Sequence, residues 1–320
     1  MTTPPSDRVA LATWPTPMEP AARLAVAIGL RPGGLWVKRD DLTGLAAGGN
    51  KIRKLEWTLA AALAQGADTV VTTGAPQSNH ARLTAAAATR HGLHAALVFP
   101  GDPPTGLQGN LLLDGILGAT IIWTGNRSHD QTALRAAAER TAEGLRQQGR
   151  YPVIIPFGGS SAVGAHGYRL AGHEILGQRP DCDHVVCAVG SGGTMAGLVA
   201  ALGPERVLGV HTGAVDDARA HVAALLADMG ETTAADDLRI RTDQVGSGYE
   251  SLTPQAQDAL RLAARTEGVM LDPTYTARAL AGLIAEIDDD LIGPADEVVF
   301  LASGGLPGLF GHPDAPTLTG

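Results

Sequence analysis

The sequence predicts an α/β protein built on doubly wound, mostly parallel sheets, and three observations carry that expectation. Short apolar runs alternate with helical periodicities along nearly the whole chain, the rhythm of parallel strands joined by crossover helices. Two of the runs, Thr69-Val70-Val71-Thr72-Thr73 and Val185-Val186-Cys187-Ala188-Val189, lack polar alternation, as strands buried on both faces do. Each leads into a Gly- and Ser-containing turn that opens a helix, which is where such sheets hold ligands. A chain of 320 residues is one large domain or two of ordinary size, and 44% hydrophobic with 18% charged content supports a packed core.

Prolines at 4, 5, 15, 17, 20 and 32 make residues 1–35 mostly an extended arm, with one short helix near 20–29. Residues 35–39 read as a strand. Apolar residues at 52, 55, 59, 62 and 63 follow a helical period that Gly66 ends. The strand at 69–73 follows, then a turn from Gly74 into an Ala-rich helix at 79–91. The rhythm repeats as a strand at 95–99, a loop at 100–106, a helix at 107–117, a strand at 119–123, a helix at 129–148 and a strand at 152–155. Gly158, Gly159, Gly164 and Gly167 suggest a crossing between lobes, with a helix at 162–177. After the strand at 185–189 come a helix at 195–202, a strand at 207–211 and helices at 216–229, 254–266 and 276–287. Residues 298–301 form the last strand.

Several function classes are disfavoured. A net charge of −9 without any Lys/Arg-rich block argues against nucleic acid as a partner. No run of 18 apolar residues exists, and Met1–Asp7 lacks the regions of a signal peptide, so a cytoplasmic protein with no membrane partner is expected. Cys182 and Cys187 are too few for a disulfide framework. His91 and His94 straddle a helix end and a strand start, so no metal site is expected.

The chemistry-bearing stretch is Lys38 to Leu55. The chain has 24 Lys plus Arg but only three lysines, at 38, 51 and 54, all in this segment. Arginine can replace a surface lysine but cannot form a Schiff base. Lys51 is the one that starts a helix, directly after Gly48-Gly49-Asn50. Gly190-Ser191-Gly192-Gly193-Thr194, between a strand and a helix, is an anion loop of backbone N–H groups with a helix dipole behind it. It departs from a dinucleotide fingerprint, because Met195 takes the third glycine's place and no acidic residue follows at the usual distance, so a single phosphate fits best. Ser78-Asn79-His80 is either an ordinary helix cap or a cradle for a substrate carboxylate, and His80 alone reads as a supporting group. Tyr275, at the turn 271–276, and Ser303-Gly304-Gly305, after the last strand, complete the candidates. An amine, a phosphate loop and a carboxylate turn are what a pyridoxal-phosphate enzyme acting on an amino acid needs.

Six motifs occur in the order of one known family: Lys38-Arg39-Asp40-Asp41, Gly48 to Leu55, Gln77 to Arg82, Gly190 to Thr194, Leu271 to Thr276 and Gly304 to Phe310. Over about residues 10–312 the chain resembles the D-cysteine desulfhydrase and 1-aminocyclopropane-1-carboxylate (ACC) deaminase family. These are pyridoxal-phosphate enzymes of the tryptophan-synthase-β fold type. The resemblance implies two doubly wound lobes with the cofactor, pyridoxal 5'-phosphate, in the cleft between them. The small lobe would span 52–160, and the large lobe would combine 1–51 with 161–320. Lys51 would carry the cofactor covalently, Gly190, Ser191, Gly192, Gly193 and Thr194 would hold its phosphate, and Asn79 would bond its phenolic oxygen. Ser78, with backbone donors at Asn79 and His80, would hold the substrate carboxylate, and Tyr249 and Tyr275 would line the substrate side. Either Lys51 or Ser78 would move the α-proton. A homodimer acting on a small amino acid is implied.

Two positions separate the branches. The deaminases place Glu directly after the tyrosine, whereas this chain has Thr276. The desulfhydrases present a hydroxyl from a Thr-Gly-Gly turn, a place filled here by Ser303. A hydroxyl cannot hold the cofactor's ring nitrogen protonated as a carboxylate does, which suits expulsion of a good β-leaving group better than opening a cyclopropane. His80 also follows the desulfhydrase pattern. The expectation is therefore β-elimination, as in D-cysteine to pyruvate, sulfide and ammonia. ACC deamination and elimination from another β-substituted amino acid such as L-cysteate are the alternatives, and a binding protein without turnover is the reading from a different class. Ala277, Arg278 and Ala302 depart from both branches, which have Gly, Lys and His there.

Overall fold

The computed structural model describes residues 8–126 and 130–319. The prolines at 4 and 5, the Met1–Asp7 arm and the predicted helix start at 129 lie outside the described residues. In chain order the elements are β1 Met18–Pro20, α1 Ala22–Ala27, β2 Leu35–Lys38, α2 Lys51–Ala64, β3 Thr69–Thr73, α3 Asn79–Arg90 and β4 His94–Phe99. Then follow α4 Gly109–Ile116, β5 Thr120–Trp123, α5 Gln131–Gln147, β6 Pro152–Ile154, α6 Ala162–Gln178, β7 His184–Val189 and α7 Gly193–Leu202. The chain ends with β8 Val207–His211, α8 Ala218–Asp228, β9 Arg239–Arg241, α9 Pro254–Glu267, α10 Thr276–Asp288, β10 Val298–Leu301 and α11 Leu306–Gly311.

Among the described residues the strands form two sheets, in the orders β1-β2-β10-β7-β8-β9 and β5-β4-β3-β6. Every pairing is parallel except β1 on β2. The α/β expectation therefore holds. In the first sheet the chain runs outward from β7 to β8 and β9 and returns to the other side of β7 as β10. In the second it runs from β3 to β4 and β5 and returns beside β3 as β6. Such reversals leave a crevice at the strand C-termini. Gly190–Thr194 and Gly74–His80 follow β7 and β3 at these reversals.

Three elements escaped the sequence reading. β1 lies within the proline-rich arm at an edge of the sheet, where a missing N–H is tolerated. β9 is only Arg-Ile-Arg, too short to carry a strand pattern. α11 holds Pro307, Gly308 and Gly311, residues that argue against a helix by propensity, although proline suits its first turn.

A larger difference concerns α2. Its apolar face is buried as the period requires, but Arg53, Lys54, Glu56 and Thr58 on the other face are buried as well. That face packs on α6, and the glycines first read as a crossing explain how. A Cβ on Gly167 would lie 2.1 Å from the Arg53 carbonyl oxygen of α2, and one on Gly164 would lie 3.3 Å from Thr58 Cγ2 and 2.0 Å from the Gly159 carbonyl oxygen that leads into α6. Only glycine admits this approach of helix to backbone.

The buried polar face of α2 is answered by an ionic cluster. Arg53 donates to both oxygens of Asp40, each at 2.8 Å, and to both of Glu174 at 3.0 and 2.9 Å. Tyr168 and Thr16 donate to Asp40 as well, and Lys38 donates to Glu174 and to the Thr16 carbonyl. Burial would raise the Asp40 pKa, yet Arg53 holds it below the ordinary carboxylate value. Breaking a buried pair leaves an uncompensated charge. Asp40→Ala is expected to lower stability by about 3 kcal/mol, read as a fall in the urea midpoint at unchanged slope.

Candidate active site

The chain leaves β2 through two short turns and reaches α2 by way of Gly48 and Gly49, at φ of 65° and 131°. A Cβ on Gly48 would lie 2.3 Å from the Asp41 carbonyl oxygen, so the turn needs glycine twice over. The Thr43 hydroxyl accepts from the Gly49 amide at 2.8 Å, and the Asn50 amide donates to the Ser303 carbonyl at 2.9 Å. These bonds tie the start of α2 to the end of β10.

Lys51 thereby faces a narrow inner pocket. Its walls come from the starts of α2 (Asn50, Lys51, Lys54) and α3 (Ser78, Asn79, His80) and from Gly190, Ser191, Gly192 and Thr194 with Tyr275 and Ser303. Burial lowers the Lys51 pKa to about 8, against a partly opposing pull from Asp272. A neutral amine is the nucleophilic form, so the environment brings this lysine close to use near neutral pH.

Lys54, which does not start the helix, enters the same pocket. Residues three apart on a helix share a face, and that spacing was the available signal. Its amine donates to Ser160 Oγ at 3.1 Å and to the Gly158 carbonyl at 3.3 Å. Burial, followed by the neighbouring Lys51, pushes its pKa well below the ordinary lysine value.

The loop after β7 forms the opposite wall. Gly192 is left-handed at φ 84°, and the Gly193 amide donates to Ser160 Oγ at 3.1 Å. Ser160 and Ser191 hydroxyls are 2.8 Å apart, and Asn50 donates to Thr194 Oγ1 at 3.1 Å. A Cβ on Gly193 would meet Ser160 Oγ at 2.6 Å and Lys54 Nζ at 3.0 Å. The backbone donors at the start of α7, two serine hydroxyls and a lysine amine thus enclose a small polar cradle. That donor set fits a phosphate monoester. Lys54 and Ser160 join the predicted loop residues, and Gly190 lies against the Tyr275 ring, 3.0 Å from where its Cβ would be.

On the α3 side, Ser78 caps its own helix by accepting from the Ala81 amide at 3.1 Å, and it also lines the pocket. Cap and cradle are thus compatible. Asn79 Oδ1 accepts from Asn110 Nδ2 at 2.9 Å. His80 is buried with Nε2 2.9 Å from Thr72 Oγ1, and burial beside Lys51 and Lys54 keeps it neutral.

An outer cleft of about 500 Å³ continues from the inner pocket, with Ser78, Phe157 and Tyr275 shared and Tyr249 on its wall. Tyr249 and Tyr275 join through their hydroxyls with rings edge to face, 5.9 Å between centroids. Burial pushes the Tyr249 pKa up to about 12. Arg278, noted in the sequence only as a departure, is fully buried and donates to the carbonyls of Thr212, Gly248, Tyr249 and Ser251. It pins the segment that carries Tyr249. Thr276 turns its hydroxyl onto Asp272 Oδ1 at 2.7 Å, and Asp272 also caps the first turn of α10. The described residues lining the inner pocket include no carboxylate, while Ser303 contributes a hydroxyl-bearing side chain.

A family model described as pyridoxal-phosphate dependent enzyme matches residues 9–304. The chain belongs to that family. It is a pyridoxal-phosphate dependent α/β enzyme, as the motif resemblance implied. The chain is 37% identical to a putative 1-aminocyclopropane-1-carboxylate deaminase of Pyrococcus furiosus, over 96% of this chain and 94% of that one. It is 38% identical to a D-cysteine desulfhydrase of Salmonella schwarzengrund, over 95% and 96%. A solved structure titled as an ACC deaminase homologue superposes with a TM-score of 0.87 at 36% identity, covering 98% of this chain and 95% of that one. Among the described residues no helix is long and apolar enough to cross a membrane, and no metal-binding cluster of His, Cys, Asp and Glu is found.

The lowered Lys51 pKa gives a pH test in which the sign is fixed. Below pH 8 the amine is protonated and unreactive, and above it the neutral form prevails. In cofactor-free protein, Lys51 modification by an amine-selective acylating reagent, followed by peptide mass spectrometry, should rise with pH to a plateau with a midpoint near 8. An ordinary lysine would have its midpoint near 10.5.

Proposed function

We propose that the enzyme is a β-elimination lyase acting on a small β-substituted amino acid, with D-cysteine as the leading substrate. The observation that carries this reading is that the described residues lining the inner pocket include no carboxylate, with Ser303 present and the Thr276 hydroxyl engaged with Asp272. When bound, pyridoxal phosphate supplies an electron sink that stabilises negative charge at a substrate's α-carbon. Without an anion beside the ring nitrogen that sink is weaker, which favours loss of a good leaving group such as sulfide.

In this reading Lys51 would hold the cofactor, and its amine would take the substrate's α-proton. Ser78 is the alternative carrier. Gly190, Ser191, Gly192, Gly193 and Thr194, together with Lys54 and Ser160, hold the phosphate. Asn79 would hold the phenolic oxygen and Ser303 would serve the ring nitrogen. Ser78 with the Asn79 and His80 amides orients the substrate carboxylate. The paired Tyr249 and Tyr275 hydroxyls border the β-substituent and keep the substrate face ordered. The α-proton and the sulfide leave, the released enamine takes up water, and the products are pyruvate, hydrogen sulfide and ammonia. ACC deamination, the activity in the name of the Pyrococcus relative, is the second reading, which identity to both kinds of relative supports.

The cofactor cleft would lie between a small lobe at 52–160 and a large lobe of 1–51 with 161–320. The protein would act as a cytoplasmic homodimer, with exposed Ile116 and Phe310 on α4 and α11 as candidate contacts.

Purified enzyme should release pyruvate and sulfide from D-cysteine faster than it releases 2-oxobutyrate from ACC, both read as 2-oxo acid formed per site. Faster turnover of ACC would reverse the assignment. Lys51→Ala should lose the visible cofactor band and at least about a thousandfold in rate.

A further inference from the structure

We infer that Asn110 and Arg82 are positioning residues that fix which end of the Asn79 side-chain amide faces the cofactor pocket. The inference rests on the proposed contact between Asn79 and the cofactor, and it names what sets the polarity of that contact. A primary amide accepts through its oxygen and donates through its nitrogen, so its neighbours decide what it offers a ligand.

The orientation can be deduced from one end. Arg82 is fully buried, and a guanidinium only donates. Its Nη1 lies 3.0 Å from Asn110, which identifies the accepting atom there as Oδ1. The other end of the Asn110 amide is fixed independently, because Nδ2 lies 2.9 Å from the Gln77 carbonyl, which only accepts. The same Nδ2 donates to Asn79 Oδ1 at 2.9 Å. The Asn79 oxygen is therefore engaged, and its Nδ2 remains as the group for the pocket that Asn79 lines. An N–H donor suits an anionic phenolic oxygen and an acceptor would repel it.

Two further bonds lock the arrangement. The Asn110 backbone N–H donates to Gln77 Oε1 at 2.9 Å, holding α4 to the turn before α3. Arg82 Nη2 donates to the Gly48 carbonyl at 2.7 Å, three residues before Lys51. One cation thus registers the lysine-bearing loop and the Asn79 amide against each other, and the buried Asp114 carboxyl on α4, its own pKa pushed up to about 7 by burial, partly supports its charge.

The test compares Asn110→Asp and Asn110→Ala with Asn79→Ala in the holoenzyme. Asn110→Asp keeps the acceptor for Arg82 but removes the donor to Asn79, and Asn110→Ala removes both. The readouts are the pH midpoint of the visible cofactor band and the Kd for pyridoxal phosphate, with circular dichroism recording the fold. Asn79→Ala should move the midpoint, and both Asn110 variants should move it in the same direction, with Kd rising about tenfold. Folded Asn110 variants with the wild-type midpoint and Kd, beside a shifted Asn79→Ala, would overturn the positioning role and leave the functional reading standing. An unshifted Asn79→Ala would instead remove the Asn79 contact itself and the inference with it.

Discussion

A buried guanidinium held between two carboxylates governs the geometry of this molecule. Arg53 sits two residues after Lys51 on α2, bonded to Asp40 from the segment after β2 and to Glu174 from α6. Lys38 joins the same cluster, so its two cations and two anions balance formally. Desolvating four charges is costly, and the complementary contacts offset that cost only if each group keeps its place. The cluster is therefore stringent about geometry whatever its net contribution to stability. It fixes the roll of α2 about its axis, and with it the direction in which Lys51 and Lys54 emerge.

The pocket that results is electrically lopsided. Two lysine amines and helix N-termini face it, while Asp272, whose charge acts on Lys51, is occupied in capping α10. Burial in this field favours neutral Lys51 and Lys54 and neutral His80. An anionic cofactor is the natural complement of such a site.

The fold was legible wherever burial on both faces erased alternation, as in β3 and β7, and wherever a glycine turn followed directly. The motif turns single out Lys51, Ser78, Asn79, Tyr275, Ser303 and the loop at 190–194, and the chain brings these side chains and the loop's Gly190, Ser191, Gly192 and Thr194 around one pocket. What stayed hidden depended on partners distant in sequence. The buried polar face of α2 cannot be read without knowing that α6 offers Gly164 and Gly167 to it. Ser160 and Asn110 bear on the site through residues about 30 positions away, and no local pattern marks them. Lys54 is legible from its spacing, because a residue one helical turn after Lys51 stays on the same face.

Arg278 works much as a bound cation would, gathering four peptide oxygens around one charge. Three of those oxygens belong to the segment 248–251, which lines the outer cleft. A segment fastened by its main chain places little demand on the identity of its own side chains. Those side chains can therefore diverge, altering what the cleft admits, while the backbone that presents them stays put. A fixed anchor beneath a variable surface gives selection a means of changing substrate preference without remaking the reaction centre.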